Sequence, residues 1–151
     1  MPISITTAMP TSFKVEILKA VHNFTASTGN TFKIALFKAT AAGSGTFGAA
    51  TTNYSDMSTD QLPTATGYTQ TGNTLSSVTP VADSTTAVCD FADTSWTSAT
   101  FTTCGALIYN STASGAACAV LSFGGDQQVS SGDFTIQFPV AAAATAIIRI
   151  A

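Results

Sequence analysis

The sequence predicts a mainly β protein: an antiparallel, jelly-roll-like β-sandwich of about seven to eight strands with one N-terminal α-helix. After residue 31 the spacing of apolar residues changes from a helical period to a period of two. Runs of β-branched and aromatic residues, bounded by Gly, Asn, Asp or Pro, then recur at near-regular intervals. None of these runs is followed by the pattern of a crossover helix, which argues against a parallel sheet.

The helix is predicted for residues 11–24. Its apolar face recurs at spacings of four, four and three residues, at Phe13, Ile17, Val21 and Phe24. Pro10 and the two hydroxyl residues after it are typical of a helix start. Residues 1–10 are predicted to form an extended N-terminal arm, and residues 11–151 a single domain, since a chain of this length is expected to form one domain.

The strands and turns follow from local patterns. A hairpin is predicted for residues 67–79, with its turn at residues 71–73, because Gly and Asn supply the positive φ that such turns need. Residues 39–53, rich in Ala, Gly, Ser and Thr, are predicted to form a loop, and residues 54–63 one helical turn. The remaining strands are predicted at residues 31–37, 85–91, 99–109, 117–123, 133–138 and 146–150.

Composition narrows the classes of function. Five Lys or Arg and eight Asp or Glu leave only 9% of the chain charged, against roughly 25% in a typical domain. Hydroxyl residues take their place on the surface, with 27 Thr and 16 Ser. Few cations and a net charge of −3 argue against nucleic-acid binding, and no apolar run is long enough to predict a membrane span. The N-terminus lacks the pattern of a secretory signal, which predicts synthesis in the cytoplasm.

Few residues offer catalytic chemistry. His22 is the only histidine, and we expect it to interact with the C-terminal end of the helix. Asp90 and Asp93 could form a carboxylate pair for glycoside hydrolysis or calcium binding, but the favoured interpretation has Asp93 capping the amides of residues 94–96. Trp96 is expected to pack under that turn. No metal site, cofactor or catalytic residue is predicted, and the chain is expected not to be an enzyme.

The three cysteines form no CxxC pair. Cys89, Cys104 and Cys118 are therefore predicted to be reduced, buried, small apolar residues. Counting outward from the turn at residues 110–115 places Cys104 and Cys118 near one another across a hairpin, with no bond implied.

Several segments taken together resemble small virion structural proteins of tailed bacteriophages. They include Gly67-Tyr-Thr-Gln-Thr-Gly-Asn-Thr-Leu-Ser-Ser-Val and Thr94-Ser-Trp-Thr-Ser-Ala-Thr-Phe, and they continue through residues 105–110, 119–126, 132–139 and 146–150. The similarity extends to the helix and to the strand at residues 31–37. It implies a non-enzymatic particle protein, most specifically a decoration or cement protein on the capsid exterior.

The resemblance implies the major capsid protein as partner, and the closed symmetry usual in oligomers implies self-association as a dimer or trimer, the trimer preferred. A surface with few charges makes broad interfaces less costly to desolvate. The apolar arm is suited to strand addition on a partner subunit, and the loop at residues 39–53 could order in the same way. The interface candidates are accordingly Ile3, Ile5, Met9, Phe47 and Tyr54.

The alternative function is an adhesion module on a head fibre or on the tail. Such a module would bind host-surface carbohydrate through Trp96, Tyr54 or Tyr68. A glycan hydrolase using Asp90 and Asp93 is the least favoured hypothesis, because no positioned acid–base pair is evident in the sequence.

Overall fold

The computed structural model describes residues 1–151, and the protein is mainly β with antiparallel sheets. One α-helix, α1, spans Thr11–Leu18, and short 3₁₀ helices span Thr40–Ala42 and Tyr54–Asp60. The nine strands are β1 (Ser4–Ile5), β2 (Phe32–Leu36), β3 (Thr46–Phe47), β4 (Asn73–Thr74), β5 (Ser77–Asp83), β6 (Thr86–Phe91), β7 (Thr94–Asn110), β8 (Ala116–Ile136) and β9 (Ile148–Ile150).

The strands form two antiparallel sheets and one short parallel pair. A four-stranded sheet has the order β4-β2-β7-β8, and a three-stranded sheet has the order β5-β6-β9. β1 pairs with β3 in parallel. The longest strands, β7 and β8, form one hairpin that closes through residues 111–115.

Apolar clusters cover both faces of the four-stranded sheet. Successive residues of β2 point to opposite faces, so Ile34 belongs to the first cluster and Ala35 to the second. The first cluster also contains Phe13 of α1 and residues of β6 and β9, and it therefore joins the two sheets. Because both faces are covered, every residue of β7 from 103 to 110 is buried.

The helix ends six residues earlier than predicted. Ala20 has a left-handed φ of 57°, and the N–H groups of residues 19–21 bond back to carbonyls of Glu16 and Ile17. Phe24 still joins the core, but from a segment without regular secondary structure, and its ring stacks on Phe32 with centroids 4.3 Å apart. The spacing identified Phe13 and Phe24 as buried, but the prediction for Val21 is wrong: its side chain is exposed, because the helix ends before residue 21.

The predicted hairpin at residues 67–79 is wrong. β4 pairs with β2, and β5 pairs with β6. Gly72 lies so close to β2 that an added Cβ would be 1.8 Å from the carbonyl oxygen of Ile34. The predicted turn therefore packs against a strand distant in sequence instead of joining two neighbouring ones. The strands predicted at 117–123 and 133–138 are parts of one continuous strand, β8.

Candidate interaction surface

The five predicted interface residues mainly pack within the chain. Ile3 and Phe47 are each only 5% exposed and belong to the second cluster, against which Ile5 and Tyr54 also pack. Met9 is half-buried against the first cluster. These contacts leave a partner only the outer parts of Ile5, Met9 and Tyr54.

The N-terminal arm makes its strand contacts inside the molecule. The backbone of β1 pairs with β3, and Ala8 forms a bridge with Val120 of β8. The N–H of Ile3 donates to the carbonyl of Thr40 at 2.9 Å. The edge-strand pairing expected with a partner subunit is thus made by the chain itself. The apolar side chains of the arm gain the burial that a partner would otherwise supply.

Two carboxylates hold the loop at residues 40–45 against this arm. Buried Asp60 accepts hydrogen bonds from the N–H groups of Ser44 and Gly45, at 3.0 and 2.8 Å. Asp126 of β8 accepts from both the N–H and the hydroxyl of Thr40, each at 2.7 Å. These two hydrogen bonds lower the pKa of Asp126, because they favour its ionised form.

His22 lies in the core instead of capping the helix. Its Nε2 is 2.8 Å from a carboxylate oxygen of Glu16, and its Nδ1 is 3.0 Å from the side-chain nitrogen of Asn110. A ring that accepts from Asn110 at Nδ1 and donates to Glu16 at Nε2 satisfies both contacts. The predicted helix-end contact is wrong, because α1 stops at Leu18.

Asp90 and Asp93 do not form a carboxylate pair that shares one contact: each accepts a hydrogen bond from a different backbone N–H. The carboxylate of Asp90 accepts from the N–H of Phe91, and that of Asp93 accepts from the N–H of Phe138 at 2.9 Å. The predicted cap of residues 94–96 by Asp93 is therefore wrong. Asp93 instead fixes the chain where it leaves β8, a contact between residues far apart in sequence.

The aromatic residues suggested for carbohydrate binding are mostly inaccessible. Trp96 lies within β7 instead of under a turn, and it and Tyr68 are each 3% exposed. The half-buried ring of Tyr54 stacks on Tyr109 with centroids 4.5 Å apart. Trp96 and Tyr68 therefore present no free ring face to a sugar, and one face of the Tyr54 ring is occupied by Tyr109.

The cysteines are buried and unpaired, but the predicted proximity of two of them is wrong. Cys104 belongs to the second cluster and Cys118 to the first, on opposite faces of the sheet. Burial, aided by the nearby charge of Asp90, raises the pKa of Cys89 to about 12, and burial also raises the pKa of Cys104 and Cys118. All three thiols are therefore held in their unreactive protonated form.

The most extended surface lies at the far end of the β7–β8 hairpin, in residues 94–103 and 127–136, here called the distal ribbon. One face carries Trp96, Phe101 and Phe134, which pack on one another and on Tyr68. The opposite face carries Asp133 as its one charged residue, and the hydroxyls of Ser95 and Thr135 meet across it at 2.7 Å. The alternation of hydroxyl and apolar residues at positions 94–103 is the sequence signal for this two-sided ribbon.

No group of three or more His, Cys, Asp or Glu side chains is placed to hold a metal ion. None of the helices combines the length and the apolar character needed to cross a bilayer. Compared with known protein families, with curated proteins and with solved structures, the chain matches none of them.

Proposed function

We propose that this chain is a non-enzymatic virion structural protein of a tailed bacteriophage: a decoration protein on the capsid exterior that stabilises the major capsid protein shell. The observation that carries the proposal is the hydroxyl-rich face of the distal ribbon, on which Asp133 is the one charged residue. Its exposed residues include Ser95, Thr97 and Thr135, and the hairpin's one carboxylate there, Asp133, accepts the N–H of Ser98 at 3.1 Å.

Such a face is suited to a broad, permanent contact. Burying a free ion without a partner is costly, whereas hydroxyls can exchange hydrogen bonds with water for hydrogen bonds with a neighbouring surface. A shell-binding protein also benefits from a stiff scaffold. The two apolar clusters and the internally paired arm supply that stiffness, because they restrain the central sheet from both faces.

We also propose that the two antiparallel sheets form a sandwich around the first cluster. Phe32 of β2 and Phe91 of β6 lie on different sheets, and their ring centroids are 5.7 Å apart. Aromatic residues shared between facing sheets are typical of sandwich cores. The second cluster adds a further layer, formed by the arm and the 3₁₀ segment at Tyr54–Asp60.

The test uses heads purified with the chain bound, heads from which it has been stripped, and stripped heads to which it is returned. Stripped heads are expected to release DNA at a lower temperature, and returning the chain is expected to restore the original temperature. Identical release temperatures for intact and stripped heads would contradict the proposal.

A pair of variants tests which surface binds. Thr97→Glu adds a second carboxylate to the hydroxyl-rich face and is expected to weaken rebinding to stripped heads by about tenfold, because this carboxylate must be desolvated without a partner. Thr28→Glu is the matched control, since it introduces the same charge at an exposed turn outside the distal ribbon. Equal rebinding by the two variants would exclude this face as the contact.

A further inference from the structure

β8 is an edge strand whose outer side changes character halfway along. β7 is its only neighbour in the sheet. Over residues 116–122 the chain itself covers the outer side: Ala117 donates to the carbonyl of Thr52, Ala8 bridges Val120, and the N–H of Ser122 donates to the hydroxyl of Thr7. This cover stops at Ser122, and residues 127–136 have no strand on their outer side.

The uncovered part lacks lysine and proline, two common means of protecting an exposed strand edge. Natural edges are commonly protected by lysine, proline or free charges that oppose pairing with another strand. Residues 127–136 contain no Lys, Arg or Pro. Their one carboxylate, Asp133, is engaged by the N–H of Ser98 on β7. Left-handed Ser131 and two register shifts interrupt the strand between Val129 and Phe134 and oppose pairing there, but residues 127–129 and 134–136 keep a regular register.

The apolar face of the same segment is only partly covered. Three half-buried residues pack against the edge of the first cluster: Val129, Phe134 and Ile136. A strand added beside β8 would place its own side chains next to these three residues and complete their burial. The segment therefore offers main-chain hydrogen bonds along two regular stretches, residues 127–129 and 134–136, each about 10 Å long, together with an unfinished apolar row.

We propose that residues 127–136 pair antiparallel with the same residues of a second copy, so that the four-stranded sheet continues across a two-fold axis. Each copy brings one carboxylate, Asp133, to this edge, and pairing centred between residues 131 and 132 offsets the two Asp133 side chains by three residues, about 10 Å along the strands, where salt largely screens their repulsion. In antiparallel pairing the half-buried apolar rows of both copies lie on the same face. The interface is isologous and closes as a dimer, in place of the trimer favoured from sequence. This inference is independent of capsid binding.

The test compares two lysine variants whose sites face each other. Thr135 on β8 and Ser95 on β7 are register partners, both are exposed, and their hydroxyls share one hydrogen bond. Either substitution removes that bond and adds one positive charge, but only Thr135→Lys places the charge on the open edge. We expect Thr135→Lys to raise the dimer dissociation constant about tenfold or more, and Ser95→Lys to leave it nearly unchanged.

Sedimentation over a dilution series measures the dissociation constants, and amide hydrogen exchange locates the interface. In the dimer, amides of residues 127–136 are expected to gain protection that dilution removes. A protein that stays monomeric at its highest soluble concentration, a trimer, equal weakening by the two variants, or a dimer without added protection there would each overturn the proposal. If thermal unfolding shows that Thr135→Lys is misfolded, Ser130→Lys on the same strand replaces it.

Discussion

The two ends of the β7–β8 hairpin differ although they belong to the same two strands. Near the turn, residues 105–110 and 116–120 are buried on both faces. In the distal ribbon, burial alternates along β7, and most of β8 is exposed. The difference comes from outside the hairpin: the arm, β3 and the 3₁₀ segment cover one face near the turn, and nothing equivalent covers the ribbon. The environment of a strand is thus set by segments distant in sequence.

The change occurs at an irregularity in β8. Register partners shift between Thr103 and Gly105, where residues 123–126 of β8 are left without partners on β7. Asp126 in this bulge holds Thr40, whose carbonyl in turn accepts the N–H of Ile3. The bulge therefore both ends the covered region and anchors the segments that cover it.

The largest expected contrast is between isoleucines at the two ends. Ile108 is fully buried near the turn, whereas Ile136 is half-buried in the distal ribbon. Ile108→Ala should lower the free energy of unfolding by about 2–5 kcal/mol, because it removes buried methylenes and leaves a cavity. Ile136→Ala should cost about 1 kcal/mol, since part of that side chain already contacts water. Urea denaturation measures both, and equal losses would show that the ribbon is as closely packed as the covered end.

The arm provides a second contrast within the covered end. Ile3 is 5% exposed and Ile5 only half-buried, so Ile3→Ala should destabilise by about 2–4 kcal/mol and Ile5→Ala by distinctly less. Thermal unfolding and urea denaturation report the difference. If Ile3→Ala proves neutral, the arm does not stabilise the covered end in solution.

The buried carboxylate of the loop should have a somewhat smaller effect. Asp60→Asn replaces one of two acceptor oxygens by an NH₂ group that faces a backbone N–H of Ser44 or Gly45. Leaving a buried donor without a partner costs about 1–3 kcal/mol. Chemical denaturation measures the loss, and faster amide exchange at these two residues would locate it. Unchanged exchange there would mean that other contacts hold the loop.

The smallest effect is expected from Asp126, which is exposed. Its pKa is lowered in the folded protein, so its stabilising contribution is present above the ordinary value of 3.8 and is lost as the pH falls through the folded value below that. An NMR titration of the Thr40 N–H should therefore show a transition with a midpoint below 3.8. Asp126→Asn should abolish it. A transition that survives this substitution would have to come from another carboxylate.

The local patterns predicted individual strands better than their partners. β2 and β6 lie within one residue or two of the predicted boundaries, because alternating or β-branched residues indicate an extended backbone wherever it pairs. A turn forms next to the predicted one, at residues 69–72: the N–H of Gly72 donates to the carbonyl of Thr69, Gly72 has a positive φ, and Asn73 already belongs to β4. The segments on either side of this turn, however, do not pair with each other. Asn73 pairs instead with Ile34 of β2, which lies 39 residues earlier in the chain.

The predicted interface residues show the same division. The apolar residues of the arm indicated that residues 1–10 are buried in a contact. Composition alone does not determine whether that contact is with the same chain or with a partner subunit. Cys104 and Cys118 are a second example. Their distances from the turn can be counted in the sequence, but the sequence does not indicate the bulge in β8 or the face of the sheet on which each side chain lies. The open edge of β8 depends on where Thr7 and Ala8 stop covering it, which no local pattern encodes.

The sequence alone was enough to establish the mainly β class, the composition rich in hydroxyl residues and poor in charged ones, and the small number of side chains suited to catalysis. These properties depend on local backbone preference and on composition, and both can be read one short segment at a time. Folding in three dimensions determined which strands pair, which face each cysteine occupies, and that the arm packs on its own chain. Those outcomes depend on which distant backbone edges and apolar faces meet, and so on contacts between segments far apart in sequence.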